Sequence, residues 1–192
     1  MDSSLSSSYL ILFDVNGLMC TKISAEDSSK VNPEDCLRIN PYYYIIIRPG
    51  IKEAILSLSK RYCIGIYSST TSHNLVKIND AIFGESSDLF IFVADRHLTQ
   101  LDPRYGKDPS IKEYDTIKLL DCIWKHPIYN SKRKWNSSNT LLIDHDYRKI
   151  EFNPPDNILV VPEFTLETYL DDQNSTETLL TAIRSRIRII EN

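Results

Sequence analysis

Tyr9-Leu10-Ile11-Leu12-Phe13-Asp14-Val15-Asn16-Gly17-Leu18 is the segment from which an architecture can be argued. Its first five residues are apolar without a gap, as in a strand buried on both faces, and the run ends in a carboxylate followed by a glycine turn. Ligands of an α/β sheet gather beyond the carboxyl ends of its strands. An aspartate delivered there is placed to meet a phosphate as a nucleophile.

Working outward, similar short runs rich in β-branched and aromatic residues recur at residues 43–47, 63–67, 89–93, 140–143 and 158–161. Several are apolar on both faces, which predicts buried parallel strands. Helical spacing lies between some of them. Ile51, Ala54, Ile55 and Leu58 form one apolar stripe after Pro49, and Leu75, Ile78, Ala81 and Ile82 repeat it. Ile117, Leu120 and Trp124 follow it more loosely. Near the C-terminus, Asn174 and Glu177 have the spacing of a capping box ahead of Leu179, Leu180, Ile183, Ile187 and Ile190. Arg184, Arg186 and Arg188 are read as a solvated helix face. The alternation predicts an α/β protein with a doubly wound, Rossmann-like parallel sheet that brings Asp14, Ser68 and Asp144 to one rim. Residues 1–8 read as a flexible N-terminus and 9–192 as a single domain. Residues 21–41 and 94–109 interrupt the pattern as loops or small insertions, too short for a large cap domain.

Composition narrows the class. A net charge of -4 argues against nucleic-acid binding, which rests on basic surface. Cys20, Cys36, Cys63 and Cys122 form no C-x-x-C pair, so they are read as reduced thiols. The start of the chain lacks a basic n-region and an apolar core, and no stretch approaches a membrane span, so the expectation is a cytoplasmic or nuclear protein.

Three strands end in residues suited to phosphate: Asp14 after Phe13, Ser68-Ser69-Thr70-Thr71 after Tyr67, and Asp144-His145-Asp146 after Ile143. With a lysine in a helix between the last two, this order resembles the haloacid-dehalogenase superfamily. In detail it resembles the NIF-like family of RNA polymerase II C-terminal-domain phosphatases. Further anchors are Ile47-Arg48-Pro49-Gly50, Cys63-Ile64-Gly65-Ile66-Tyr67-Ser68-Ser69, Trp124, Asn139 to Asp144, Asn153-Pro154-Pro155 and Pro162.

The resemblance implies a phosphatase acting on a phosphoprotein through an aspartyl-phosphate. In it Asp14 is the nucleophile, Ser68 and Ser69 form the phosphate loop, and Lys118 neutralises charge. Mg²⁺ would be held by Asp14, the carbonyl of Asn16 and Asp144, with His145 at a position where the family often has Asn or Asp. Lys107 is the competing lysine. The family's first motif, Asp-x-Asp-x-Thr, departs here to Asn16 and Leu18. An amide cannot protonate a leaving group or activate water, a role contributing about 10²- to 10⁴-fold. The same departures suit a second reading, a pseudophosphatase that serves as a protein-binding or regulatory module. His73, His97 and His126 are read as structural or surface residues, and Lys132-Arg133-Lys134-Trp135 as a solvated loop.

Overall fold

The computed structural model describes residues 9–41, 43–132, 134–171 and 175–191. In chain order the strands and helices are β1 (Leu10–Phe13), β2 (Cys20–Ile23), β3 (Cys36–Asn40), β4 (Tyr43–Ile47), α1 (Ile51–Ser59), β5 (Cys63–Tyr67), α2 (Ser72–Phe83), β6 (Phe90–Ala94), β7 (Gln100–Leu101), β8 (Thr116–Ile117), α3 (Leu120–Trp124), β9 (Thr140–Asp144), α4 (Tyr147–Ile150), β10 (Ile158–Val160), α5 (Leu166–Asp171) and α6 (Ser175–Glu191). Asn174 and residues 1–8 lie outside the described residues, as do the side chains of Arg188 and Ile190.

The main sheet has the order β10-β9-β1-β5-β6 and is parallel throughout. Alternating side chains of β1 explain its two covered faces. Ile11 and Phe13 pack with α1, α2 and α6, whereas Leu10 and Leu12 pack with α3, α4 and Trp135. The first helical stripe does what its spacing predicts, with Ile51, Ala54, Ile55 and Leu58 all buried; in the second Leu75, Ile78 and Ile82 are buried but Ala81 is exposed. After β1 the chain builds the sheet outward through β5 and β6, then returns to the other side of β1 for β9 and β10. The reversal lies between β1 and β9, and at such a point the loops diverge and leave a crevice.

Three expectations need correction. Residues 21–41 are not simply a loop: they contain β2 and β3, which flank β4 in a separate antiparallel sheet. The run at 43–47 therefore belongs to this small sheet rather than to the parallel one. Its Ile45 faces the main core while Ile46 joins Ile23, Val31 and Phe164 in a satellite core, so an apolar run covered on both faces arises without parallel pairing. Finally, Ile117 belongs to β8, which pairs with β7 in a short ribbon, so Lys118 lies ahead of α3 rather than in a helix.

Candidate active site

Each polar group at the rim is brought there by an element end. Asp14 follows β1, and its amide donates to the Ile143 carbonyl at 3.0 Å. The chain then turns through Gly17 at a φ of 78° and enters β2, so no helix follows this aspartate. Gly17 has a steric role as well. A Cβ there would lie 2.5 to 2.8 Å from three atoms of the His145 ring, so only glycine leaves the imidazole its seat. Asp144 ends β9, and its Oδ1 accepts the Asp146 amide at 2.9 Å.

Lys118 is placed by its backbone. Its amide donates to the Lys149 carbonyl at 2.7 Å, and its own carbonyl accepts from Asn153 Nδ2 at 2.7 Å. Asn153 also accepts the Leu120 amide at 2.7 Å and donates to the Ile150 carbonyl at 2.8 Å. From this clamp the Lys118 ammonium reaches Asp14 Oδ1 at 2.7 Å and Asp144 Oδ2 at 2.6 Å. All three side chains are buried, with at most 1% of their surface exposed. Lys107, by contrast, is exposed in a turn.

The carboxylates divide their oxygens. One of each faces the ammonium, and the other faces His145, whose Nδ1 lies 3.4 Å from Asp144 Oδ1 and 3.7 Å from Asp14 Oδ2. Asp14 Oδ2 and His145 Nδ1 are buried without a hydrogen-bond partner. Such atoms suit a divalent cation, and Asp14, Asp144 and His145 form a cluster whose ligand atoms lie within 4.8 Å of one another.

Burial pushes the Asp14 carboxyl up, but Lys118, with help from Lys149, outweighs it and holds the group below the usual carboxylate range. Burial and then the Asp14 charge push Asp144 above that range against the pull of Lys118. Burial also opposes the Lys118 charge, yet the two carboxylates keep its ammonium above the usual lysine value. The two carboxyls share one ammonium, so their protons are gained in steps that belong to the pair.

Ser68 follows the neighbouring strand β5, whose Ile66 is in register with Phe13. It is 1% exposed, and its hydroxyl donates to Thr70 Oγ1 at 3.1 Å and accepts the Thr70 amide at 3.3 Å. It is not a helix cap, because α2 begins only at Ser72. Ser69 is half-buried beside it, and Asn16 is exposed on the turn after Asp14. Asp146 is not at the cluster: it caps α4 through the Arg148 amide and pairs with the Arg148 guanidinium at 3.1 Å.

Two further groups are structural. Arg48 lies 4.8 Å over the Phe164 ring, and the Phe164 amide binds the Gly17 carbonyl at 2.8 Å, so this pair braces the turn that seats His145. Ser72, Asp95 and His97 cluster on the surface, but the same His97 Nδ1 faces both the serine and the aspartate, at 3.3 and 3.0 Å. A proton relay needs the two ring nitrogens to face different partners, so this is no triad. His126 stacks on Tyr129, and its Nδ1 accepts two backbone amides.

The seat at Gly17, the clamp at Asn153 and the approach of Glu163 to within 3.8 Å of His145 Nε2 were missed as site features from the sequence. Asn153 carried a signal, since it stands in one of the quoted motifs. Glu163 carried none before β10 was known to lie beside β9.

A family model for NLI interacting factor-like phosphatases matches residues 9–187. An uncharacterised FCP1 homology domain-containing protein of Schizosaccharomyces pombe is 24% identical over 154 residues, 79% of this chain and 59% of that protein. The chain thus spans about three fifths of that relative. Among solved structures, Fcp1, described as an essential RNA polymerase II CTD phosphatase, superimposes with a TM-score of 0.56 at 16% identity over 95% of this chain and 49% of its own. The fission yeast enzyme bound to beryllium fluoride gives the same TM-score and identity, with 50% of that chain covered. At such identity these likenesses speak to the fold, a haloacid-dehalogenase-like sheet. Among the described residues no helix is long and apolar enough to cross a membrane.

Proposed function

The chain belongs to the NLI interacting factor-like phosphatase family, and from that premise we propose that it is an Fcp1-like phosphoryl-transfer domain acting on phosphoprotein through Asp14. The observation that carries this reading is the buried Lys118 ammonium held between Asp14 and Asp144 at the sheet's reversal point. Phosphoryl transfer asks a protein mainly for position and positive charge, and this cluster offers both.

In the proposed reaction an Asp14 carboxylate oxygen, kept ionised by Lys118, attacks phosphorus as the bond from phosphorus to the leaving oxygen breaks, and water then hydrolyses the aspartyl-phosphate to release phosphate and restore Asp14. Lys118 neutralises charge between the nucleophile and the phosphoryl group, and the Ser68 hydroxyl turns from Thr70 to a phosphoryl oxygen. Asp14, Asp144 and His145 fit a divalent cation, with the Asn16 carbonyl as a further ligand and Mg²⁺ the ion the family resemblance implies. When bound, that ion supplies additional charge stabilisation for the phosphoryl oxygens. Asn16 leaves the leaving group without a proton donor, so the favoured substrates are aryl or acyl phosphates, whose leaving groups need none.

The second reading, a binding module that no longer turns over, is favoured by the near-complete burial of Asp14 and Ser68 together with the amide at Asn16. Hydrolysis of an aryl phosphate with a divalent ion, beside Asp14→Asn, separates the two. The phosphatase reading expects turnover that Asp14→Asn abolishes and that Asn16→Asp raises by about 10²-fold or more. Equal rates with and without the Asp14 carboxylate would end it, and no turnover in either the wild type or Asn16→Asp would favour the binding module.

A further inference from the structure

The imidazole in the cation cluster changes which ion the cluster suits. Three donors converge there: Asp14 Oδ2, Asp144 Oδ1 and His145 Nδ1. In a tetrahedral zinc site, bonds of about 2.0–2.2 Å set neighbouring donors roughly 3.3–3.6 Å apart. The imidazole nitrogen stands 3.4 and 3.7 Å from the two oxygens, close to that spacing. The ring is seated rather than loose, because it lies against Gly17 where any Cβ would collide with it. Its other nitrogen, Nε2, faces Glu163 Oε1 at 3.8 Å, an electrostatic approach longer than a hydrogen bond. Metal-ligating histidines commonly offer their second ring N–H to a carboxylate, which fixes the tautomer and makes the ligating nitrogen more basic. Mg²⁺ favours all-oxygen octahedra, whereas imidazole suits zinc-class ions, and three protein ligands with an open position is the usual arrangement of a catalytic zinc site.

We propose that this is a site for a zinc-class ion in preference to Mg²⁺, held by Asp14, Asp144 and His145 Nδ1, with Glu163 positioning the ring through Nε2. The inference rests on the reading of this cluster as the divalent-cation site. It does not require turnover, so the test contains no phosphorylated compound, and a failure of phosphatase activity leaves it standing.

The test is titration of the chelator-stripped full chain with Co²⁺, read by its visible absorption, followed by competition with Zn²⁺ and with Mg²⁺. The expected result is an oxygen- and nitrogen-type spectrum without thiolate bands, abolished by one equivalent of Zn²⁺ and resistant to a large excess of Mg²⁺. His145→Asp should shift the ratio of Zn²⁺ to Mg²⁺ affinity toward Mg²⁺. Glu163 is 55% exposed, so Glu163→Gln should fold normally and weaken Zn²⁺ binding by about 10–100-fold with an unchanged melting temperature. Displacement by Mg²⁺ at comparable concentrations would overturn the proposal, as would an unchanged ratio in His145→Asp or full affinity in Glu163→Gln. Absence of any Co²⁺ signal would overturn it.

Discussion

Lys118 shows how much one side chain decides at the residue scale. It sits fully buried between two carboxylates that would otherwise repel each other in a low-dielectric site. Replacing it with Met leaves both charges buried and unpaired. We expect Lys118→Met to lose about 3–5 kcal/mol of stability near neutral pH, measurable by urea unfolding. The sign of its pH dependence follows. Without the ammonium, burial and mutual repulsion raise both carboxyl pKa values, so the folded state binds more protons than the unfolded one. The variant's stability should therefore recover as pH falls toward the ordinary carboxylate range and decline as pH rises. A variant equally destabilised at every pH would contradict the shared-ammonium picture. Reading Lys118 rather than Lys107 from the sequence was a matter of motif spacing; only the structure shows that one reaches the aspartates and the other is exposed on a turn.

At the scale of elements, the site depends on segments tied together away from the chemistry. Lys118 comes from the end of a two-residue strand, too short to hold a lysine in place by itself. Asn153 supplies what the strand cannot, binding the Lys118 carbonyl and the Leu120 amide across to the segment after α4. Asn153→Ala should cost about 1–3 kcal/mol for the buried backbone groups left unpaired. It should also lower turnover of an aryl phosphate through kcat rather than KM, because the ammonium is displaced while the substrate's own contacts are not. Wild-type stability and kcat in this variant would remove Asn153 from the positioning role. Helical spacing alone misled at Ile117, which falls on an apolar stripe with Leu120 yet pairs as a strand with Gln100. A stripe of two or three residues carries too little periodic information to separate the two.

Across the whole molecule, the reversal of strand order between β1 and β9 creates the crevice, and the small sheet of β2, β4 and β3 begins directly after the turn that follows Asp14. Cys20 lies at the junction of the two sheets, fully buried. Its thiol is pushed far above the usual range by burial and, to a lesser degree, by the Asp14 charge. Iodoacetamide at mildly alkaline pH should leave Cys20 unmodified in the native protein and label it only at the rate of global unfolding, as read by peptide mass spectrometry. Rapid labelling would mean that the small sheet opens independently of the core. The apolar runs ending in Asp14, Ser68 and Asp144 determined by themselves that a parallel sheet would carry these residues to one rim, because buried strands have a local signature and the ligand-binding edge follows from topology. The pairing of residues 20–47 into a second sheet, the reach of Lys118 to both aspartates, the seat that Gly17 gives His145 and the approach of Glu163 were decided only by tertiary structure. Each depends on a distance between segments far apart in sequence, and local composition carries no record of such a distance.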